Sequence, residues 1–212
     1  MITKKECLEQ IREVIDGVLS TVDEEGNSHS RIIDIMHIDE DTVYFLTARG
    51  KDVYNQLIKH PQMSYVNLKD NKSVRINGIA KKVDNQKKWV DLLFDENPFM
   101  NNVYPGETRY ILEVFRVEYG EMEFFDLTQK PIYRESFSIG NAEITEKGFK
   151  ITDNCIKCGI CKSECPQKAI LDDTPFVIKQ NNCLHCGICF EKCPNDAIKK
   201  RRGWDKLFSF WK

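Results

Sequence analysis

Eight of the nine cysteines fall into two copies of one pattern, C-x2-C-x2-C-x3-C-P. The first copy is Cys155, Cys158, Cys161, Cys165 and Pro166, and the second is Cys183, Cys186, Cys189, Cys193 and Pro194. Three thiols placed two residues apart can wrap one face of a compact inorganic group while the loop's N–H groups point toward it. The proline then turns the chain away. The copies are offset by 28 residues, from Cys155 to Cys183, and each is followed by an Ala-Ile pair, Ala169-Ile170 and Ala197-Ile198. Such a repeat predicts pseudo-twofold symmetry. A zinc site normally draws on two well-separated ligand pairs rather than four cysteines within eleven residues. Disulfides fit no better: the opening MITKKECLEQ has no charged-then-apolar leader pattern, and no apolar run approaches the ~18 residues of a membrane span. The expected compartment is a reducing cytoplasm, where cysteine clusters serve metals or catalysis. Cys7 stands outside the pattern, at an apolar position of a predicted helix, and is expected to pack as a small hydrophobe.

Over roughly residues 148 to 199 the run resembles the bacterial two-cluster ferredoxins. That resemblance implies two [4Fe–4S] clusters in which the fourth cysteine of each run ligates the other cluster. One cluster would take Cys155, Cys158, Cys161 and Cys193, the other Cys183, Cys186, Cys189 and Cys165. A small α+β module with two pseudo-symmetric repeats, passing single electrons, follows from it.

The preceding stretch is long enough for a full domain of its own. A net charge of −2 across 212 residues leaves no broad electrostatic footprint for nucleic acid. The charge is uneven, however. From Lys199 to Lys212 six Lys or Arg face one Asp, and Trp204, Leu207, Phe208 and Trp211 repeat at helical spacing. A basic aromatic helix over residues 200–212 is expected, docking on the protein, a partner or a membrane surface.

The first part reads as mainly β after an opening helix. Thr3 and Glu6 form a capping box, and Leu8, Ile11, Val14, Ile15 and Val18 recur at helical spacing. Short β-branched runs follow: Val18 to Val22, Ser30 to Ile38, Val43 to Thr47, Met63 to Leu68 and Val74 to Val83. Turn chemistry separates them, at Glu24-Glu25-Gly26-Asn27, Asp39-Glu40-Asp41 and Lys69-Asp70-Asn71-Lys72. Helices are predicted over Asp52 to Lys59, stopped by Pro61, and over Gln86 to Phe94. Two last strands, Tyr110 to Tyr119 and Glu121 to Leu127, are predicted to form a hairpin at Gly120. Closely spaced hairpins with few helices suggest a small barrel rather than a βαβ sheet. The polar segment 128–147 reads as a connector.

The pieces Arg31-Ile32-Ile33-Asp34, Tyr44-Phe45-Leu46-Thr47 with Lys51, His60-Pro61, and Val74 through Ala80 resemble, in order and spacing, the FMN-binding split barrel of the pyridoxamine 5′-phosphate oxidase-like superfamily. The likeness spans about residues 3 to 127. It implies that Arg31 and the strand through Ile32, Ile33 and Asp34 contact the flavin, that Leu46 and Thr47 lie near its ring system, and that Lys51 holds the phosphate. Arg49, Gly50 and Lys51 add charge and a flexible backbone at a helix start, as a phosphate requires. The stretch from Thr47 to Lys51 is shorter than in the oxidase itself and the oxidase's later arginine–glutamine pair is not evident, which argues against the pyridoxine reaction. Relatives are usually homodimers with flavin at the interface.

No G-x-G-x-x-G and no Walker motif occurs. His29, His37, His60 and His185 are scattered, and His37 near the flavin strand is expected to be packed or solvated rather than a proton donor. Tyr104, Arg109 and Tyr110 surround a loop that either borders a substrate pocket or is an ordinary surface loop. Together the halves imply a flavin- and iron–sulfur-dependent oxidoreductase, linking an external low-potential carrier, two clusters, FMN and a small-molecule substrate. Two other readings stay open: an electron relay or redox sensor without turnover, and a barrel holding deazaflavin, haem or nothing.

Overall fold

A computed structural model describes residues 1–201, and the aromatic stripe expected between Trp204 and Trp211 lies outside them. The chain divides into two compact units, Met1–Phe124 with Ser136–Glu143, and Phe125–Glu135 with Ile144 onward.

The first unit opens with helix α1 (Lys4–Val14). Glu6 N–H donates to Thr3 Oγ1 at 3.2 Å and Thr3 N–H to Glu6 Oε2 at 2.7 Å, closing the capping box. Cys7, Leu8 and Ile11 form the buried face. The helix stops sooner than its apolar periodicity suggests. Ile15 takes φ 65°, a costly conformation for a β-branched residue, and its N–H caps Ile11 O at 3.0 Å. Val18, counted in the helical stripe, therefore belongs to strand β1 (Asp16–Val22).

The other strands of this unit are β2 (Ser28–Asp34), β3 (His37–Ile38), β4 (Val43–Ala48), β5 (Gln62–Lys69), β6 (Lys72–Lys82), β7 (Leu112–Asp126) and β8 (Tyr133–Ile139), the last running on from the second unit. Helix α2 (Asp52–Lys59) precedes β5, and α3 (Gln86–Glu96) follows β6. They form one antiparallel sheet ordered β2-β1-β5-β6-β7-β4-β3, with β8 beside β7. Asp70 and Asn71, at φ 49° and 60°, make the two-residue turn between β5 and β6. This is the mainly β split-barrel class with flanking helices.

Gly120 does not turn the chain. β7 runs unbroken from Leu112 to Asp126, and the glycine serves a close approach. A Cβ at Gly120 would lie 2.4 Å from Asn77 O and 2.8 Å from Gly78 Cα, and one at Gly78 would lie 2.4 Å from Tyr119 O. The two backbones cross where neither can carry a side chain. Within this unit Met36, Tyr44, Leu46, Val90, Leu93, Phe94 and Val114 pack into a core that joins β4, β7 and α3.

The second unit is small. β9 (Phe149–Ile151) pairs with β12 (Ile198–Lys200), and β10 (Ile170–Leu171) with β11 (Val177–Ile178). Short helices α4 (Ile160–Glu164) and α5 (Ile188–Glu191) follow the second cysteine of each run. The repeat is conformational as well as sequential: Lys157 and His185, Gly159 and Gly187, and Lys168 and Asp196 all take positive φ at the 28-residue offset. Ala169 and Ile170 are buried like Ala197 and Ile198, and Phe149, Phe176 and Ile178 complete the core.

Candidate functional site

Two cavities in the second unit gather the cysteines. One, about 340 Å3 including its open mouth, is bordered by Cys155, Cys158, Cys161 and Cys193. The other, about 360 Å3 by the same measure, is bordered by Cys165, Cys183, Cys186 and Cys189. Each takes three thiols from one run and the fourth from the other. Cys165 and Cys193 lie beyond α4 and α5, and each borders the cavity formed by the first three cysteines of the other run.

Backbone donors point at the sulfurs. Ala169 N–H reaches Cys165 Sγ and Ala197 N–H reaches Cys193 Sγ, both at 3.3 Å, and His185 N–H reaches Cys183 Sγ at 3.4 Å. Among the described residues no three His, Cys, Asp or Glu side chains converge on a point for a single ion. The thiols instead ring a volume, as a cubane needs. Burial pushes the Cys161 and Cys183 thiols up, and carries Cys189 up to about 11. For Cys183 the His185 N–H and the Arg134 charge pull partly back. Such thiols release protons when iron binds, since coordination supplies the positive charge that burial removed from reach.

In the first unit, β2, β4 and α2 carry the residues expected to hold a flavin. Arg31 lies on the inner face of β2, its guanidinium donating to Thr21 Oγ1 at 2.6 Å, Gln56 Oε1 at 3.0 Å and Leu19 O at 3.4 Å. Gln56 comes from α2 and also accepts from Thr21, so Arg31 is tied to the helix that Lys51 opens. Lys51 is the extended N-cap of α2 and makes no side-chain cap, leaving the helix start available to an anion. A Cβ at Gly50 would meet none of the described residues within 4 Å.

Thr47 ends the run on β4 and is 2% exposed, yet its Oγ1 has no hydrogen-bond partner among the described residues. A buried hydroxyl without a partner costs about 1–3 kcal/mol, which fits a residue waiting for a polar ligand. Beside it in register stands Glu113, which accepts from Tyr54 Oη at 2.9 Å, pairs with Lys82 at 2.8 Å and has Arg49 at 3.7 Å. Arg49 also donates to Tyr110 O at 2.9 Å. Burial works against the Glu113 charge, but Lys82 and Tyr54 outweigh it and hold the carboxyl below its usual range.

The remaining expected residues lie on β2, β3, β4 and the loop after α3. Leu46 is part of the core with Tyr44 and Val114, and Ile32 points outward at 63% exposed. Asp34 lies opposite Asp16, and burial, then the hydrogen bond and charge of Asp16, push its carboxyl up. His37 is packed: its Nδ1 lies 2.8 Å from Glu96 Oε2, and its ring stands edge-on to Tyr44 and Trp89. In the loop after α3, Tyr110 Oη donates to Asp91 at 2.9 Å and Arg109 lies over the Phe94 and Tyr110 rings. Sequence reading missed Thr21, Gln56, Tyr54, Lys82 and Glu113. Gln56, a polar residue on the buried side of α2, carried the one visible signal.

The profile of the pyridoxamine 5′-phosphate oxidase family matches residues 3–113, and that of a 4Fe-4S dicluster domain matches residues 147–194. A comparison with curated proteins finds no match. Among solved structures, a NimC/NimA family protein from Clostridium acetobutylicum is similar with TM-score 0.54 at 20% identity, covering 64% of this chain and 92% of that one. A protein related to general stress protein 26 of B. subtilis (pyridoxinephosphate oxidase family), also from C. acetobutylicum, is similar with TM-score 0.50 at 14% identity, covering 65% and 97%. These likenesses show the barrel fold. With a family match over half its length and an iron–sulfur domain match after it, the chain belongs to the pyridoxamine 5′-phosphate oxidase family, joined to a 4Fe-4S module.

Proposed function

We propose that this chain is a cytoplasmic flavin- and iron–sulfur-dependent oxidoreductase that exchanges electrons with a low-potential carrier protein and acts on a small-molecule substrate. The observation that carries the reading is the pair of cavities, each bordered by three thiols of one run and one of the other. Bound there, two [4Fe–4S] clusters supply one-electron transfer, and FMN in the barrel couples it to two-electron chemistry. The protein's own part is positioning. Eight thiols hold the clusters, and the N–H groups of Ala169, His185 and Ala197 donate to sulfur. Lys51 and the start of α2 bind the phosphate, Arg31 braces that helix through Gln56, and Thr47 Oγ1 gives the ring system a polar contact.

A homodimer is supported by an outward apolar row across three strands, Ile32, Val18 and Val66 in register, with Leu68 beside it. Leu68 is 64% exposed, an unusual cost for a strand left in water.

The test is an absorption spectrum of protein purified without oxygen, with iron, labile sulfide and released flavin counted per chain and mass measured by light scattering. About eight irons and one FMN per chain in a dimer are expected. Eight irons with no flavin, even after FMN is added, would remove the flavoenzyme reading. Saturable consumption of a small acceptor separates an enzyme from a relay that trades electrons only with proteins.

A further inference from the structure

The two cysteine runs repeat closely, but their surroundings do not. At the 28-residue offset Lys157 corresponds to His185. Lys157 is exposed, its ammonium 3.3 Å from Thr174 Oγ1 and 5.5 Å from the centre of the Phe176 ring. His185 is half-buried, and its ring packs on Gly148, where a Cβ would come within 2.5 Å of Cδ2. Arg134, on β8, brings Nη1 to 2.6 Å from His185 Nδ1. Arginine can only donate, so Nδ1 accepts and the ring proton resides on Nε2.

The segment carrying Arg134 is fastened to the same module. Gln167 Oε1 accepts from Ile132 N–H at 2.9 Å, Asn182 Nδ2 donates to Ile132 O at 2.8 Å, and Asn181 Nδ2 donates to Arg134 O at 3.0 Å. The Arg134 guanidinium also lies 4.9 Å from the centre of the Phe125 ring. Its neighbour Glu135 is engaged by Tyr133 Oη at 2.8 Å and Asn181 at 2.9 Å. The cavity of Cys165, Cys183, Cys186 and Cys189 therefore has a fixed, half-buried cation one residue contact from its loop. Its counterpart has an ammonium in solvent.

We propose that Arg134 sets the potential of the cluster held by Cys165, Cys183, Cys186 and Cys189 above that of the other, so that the first electron taken up resides there. Reduction adds one negative charge to a cluster. A cation held in a partly desolvated site stabilises that charge more than one screened by water and salt, and charge and solvent exposure are what tune these centres. Arg134 acts through the cluster's surroundings and is a positioning residue, not a ligand. The inference rests on the two-cluster reading above.

The test follows both clusters separately in the intact, iron-loaded protein. Paramagnetically shifted cysteine β-proton resonances, assigned to each cluster, are titrated against electrode potential in the parent, Arg134→Gln and Arg134→Lys. In the parent the Cys183-containing cluster should be reduced first. Arg134→Gln should shift the electron's partition toward the other cluster about tenfold, equivalent to about 59 mV for a one-electron couple, and Arg134→Lys should restore part of it. The proposal is overturned if the other cluster is reduced first in the parent, a result that needs no variant. It is equally overturned if Arg134→Gln moves neither potential or both alike. An iron count near four per chain would instead overturn the two-cluster reading, and the assignment with it, so the two failures are told apart.

Discussion

Exchanging which cysteines are removed together gives a sharp test of how the cavities are built. Cys193 follows Cys189 by four residues, but it borders the cavity of Cys155, Cys158 and Cys161. Cys161→Ala with Cys193→Ala therefore strips two ligands from one cavity and leaves all four thiols of the other. Cys189→Ala with Cys193→Ala strips one ligand from each. With four irons per cubane, the first double variant should keep about four irons per chain and the second should fall toward none. Pairing in chain order would reverse the two results. Iron and labile sulfide are counted per chain after anaerobic reconstitution, with the intensity of the cluster absorption as a second readout. The core of this unit is small and includes Cys161 and Cys183 themselves, so loss of both clusters should also cost its fold. Circular dichroism of the second double variant checks that. Equal iron in the two doubles, or more in the Cys189/Cys193 pair, would refute the crossed arrangement.

Thr47→Val should affect stability and ligand binding in opposite directions: removing the partnerless hydroxyl stabilises the flavin-free protein by about 1 kcal/mol, while FMN affinity drops about tenfold, both readable by melting and fluorescence titration. Gly120→Ala forces a methyl to within 2.4 Å of Asn77 O, at about 2 kcal/mol net, lowering the melting temperature by roughly 6 °C. Gly50→Ala, in open space, should stay within about 0.5 kcal/mol of the parent, and equal melts for the two would refute the close-approach role. Because Glu113 is depressed in the folded state, its contribution is present above the ordinary value of 4.5 and lost as pH falls through the lower folded value. Urea midpoints measured from pH 6 down to 3 should accordingly fall less steeply in Glu113→Gln than in the parent.

Features that depend on neighbours in the chain were legible from the residues alone. The capping box at Thr3 and Glu6, the Asp70-Asn71 turn, the bounds of α2 and the 28-residue repeat all rest on local chemistry or spacing. One local reading failed because a distant contact decided it. Gly120 looked like a turn, but Asn77 and Gly78 explain it, since glycine is demanded by a crossing backbone as readily as by positive φ. Val18 fitted both the helical stripe and the strand expected from Val18 to Val22, and the cap at Ile15 leaves it in β1, which pairs with both β2 and β5.

Ligand spacing and strand alternation are written in consecutive residues, and they were enough to read two cysteine runs of iron–sulfur type behind a β-rich domain. What each charge near the sites is doing became visible once the chain was folded. Arg31 meets Gln56, Glu113 gathers Tyr54, Lys82 and Arg49, and Arg134 reaches His185 across 51 residues of chain. The electrostatic effect of each depends on distance and burial, which no local pattern encodes.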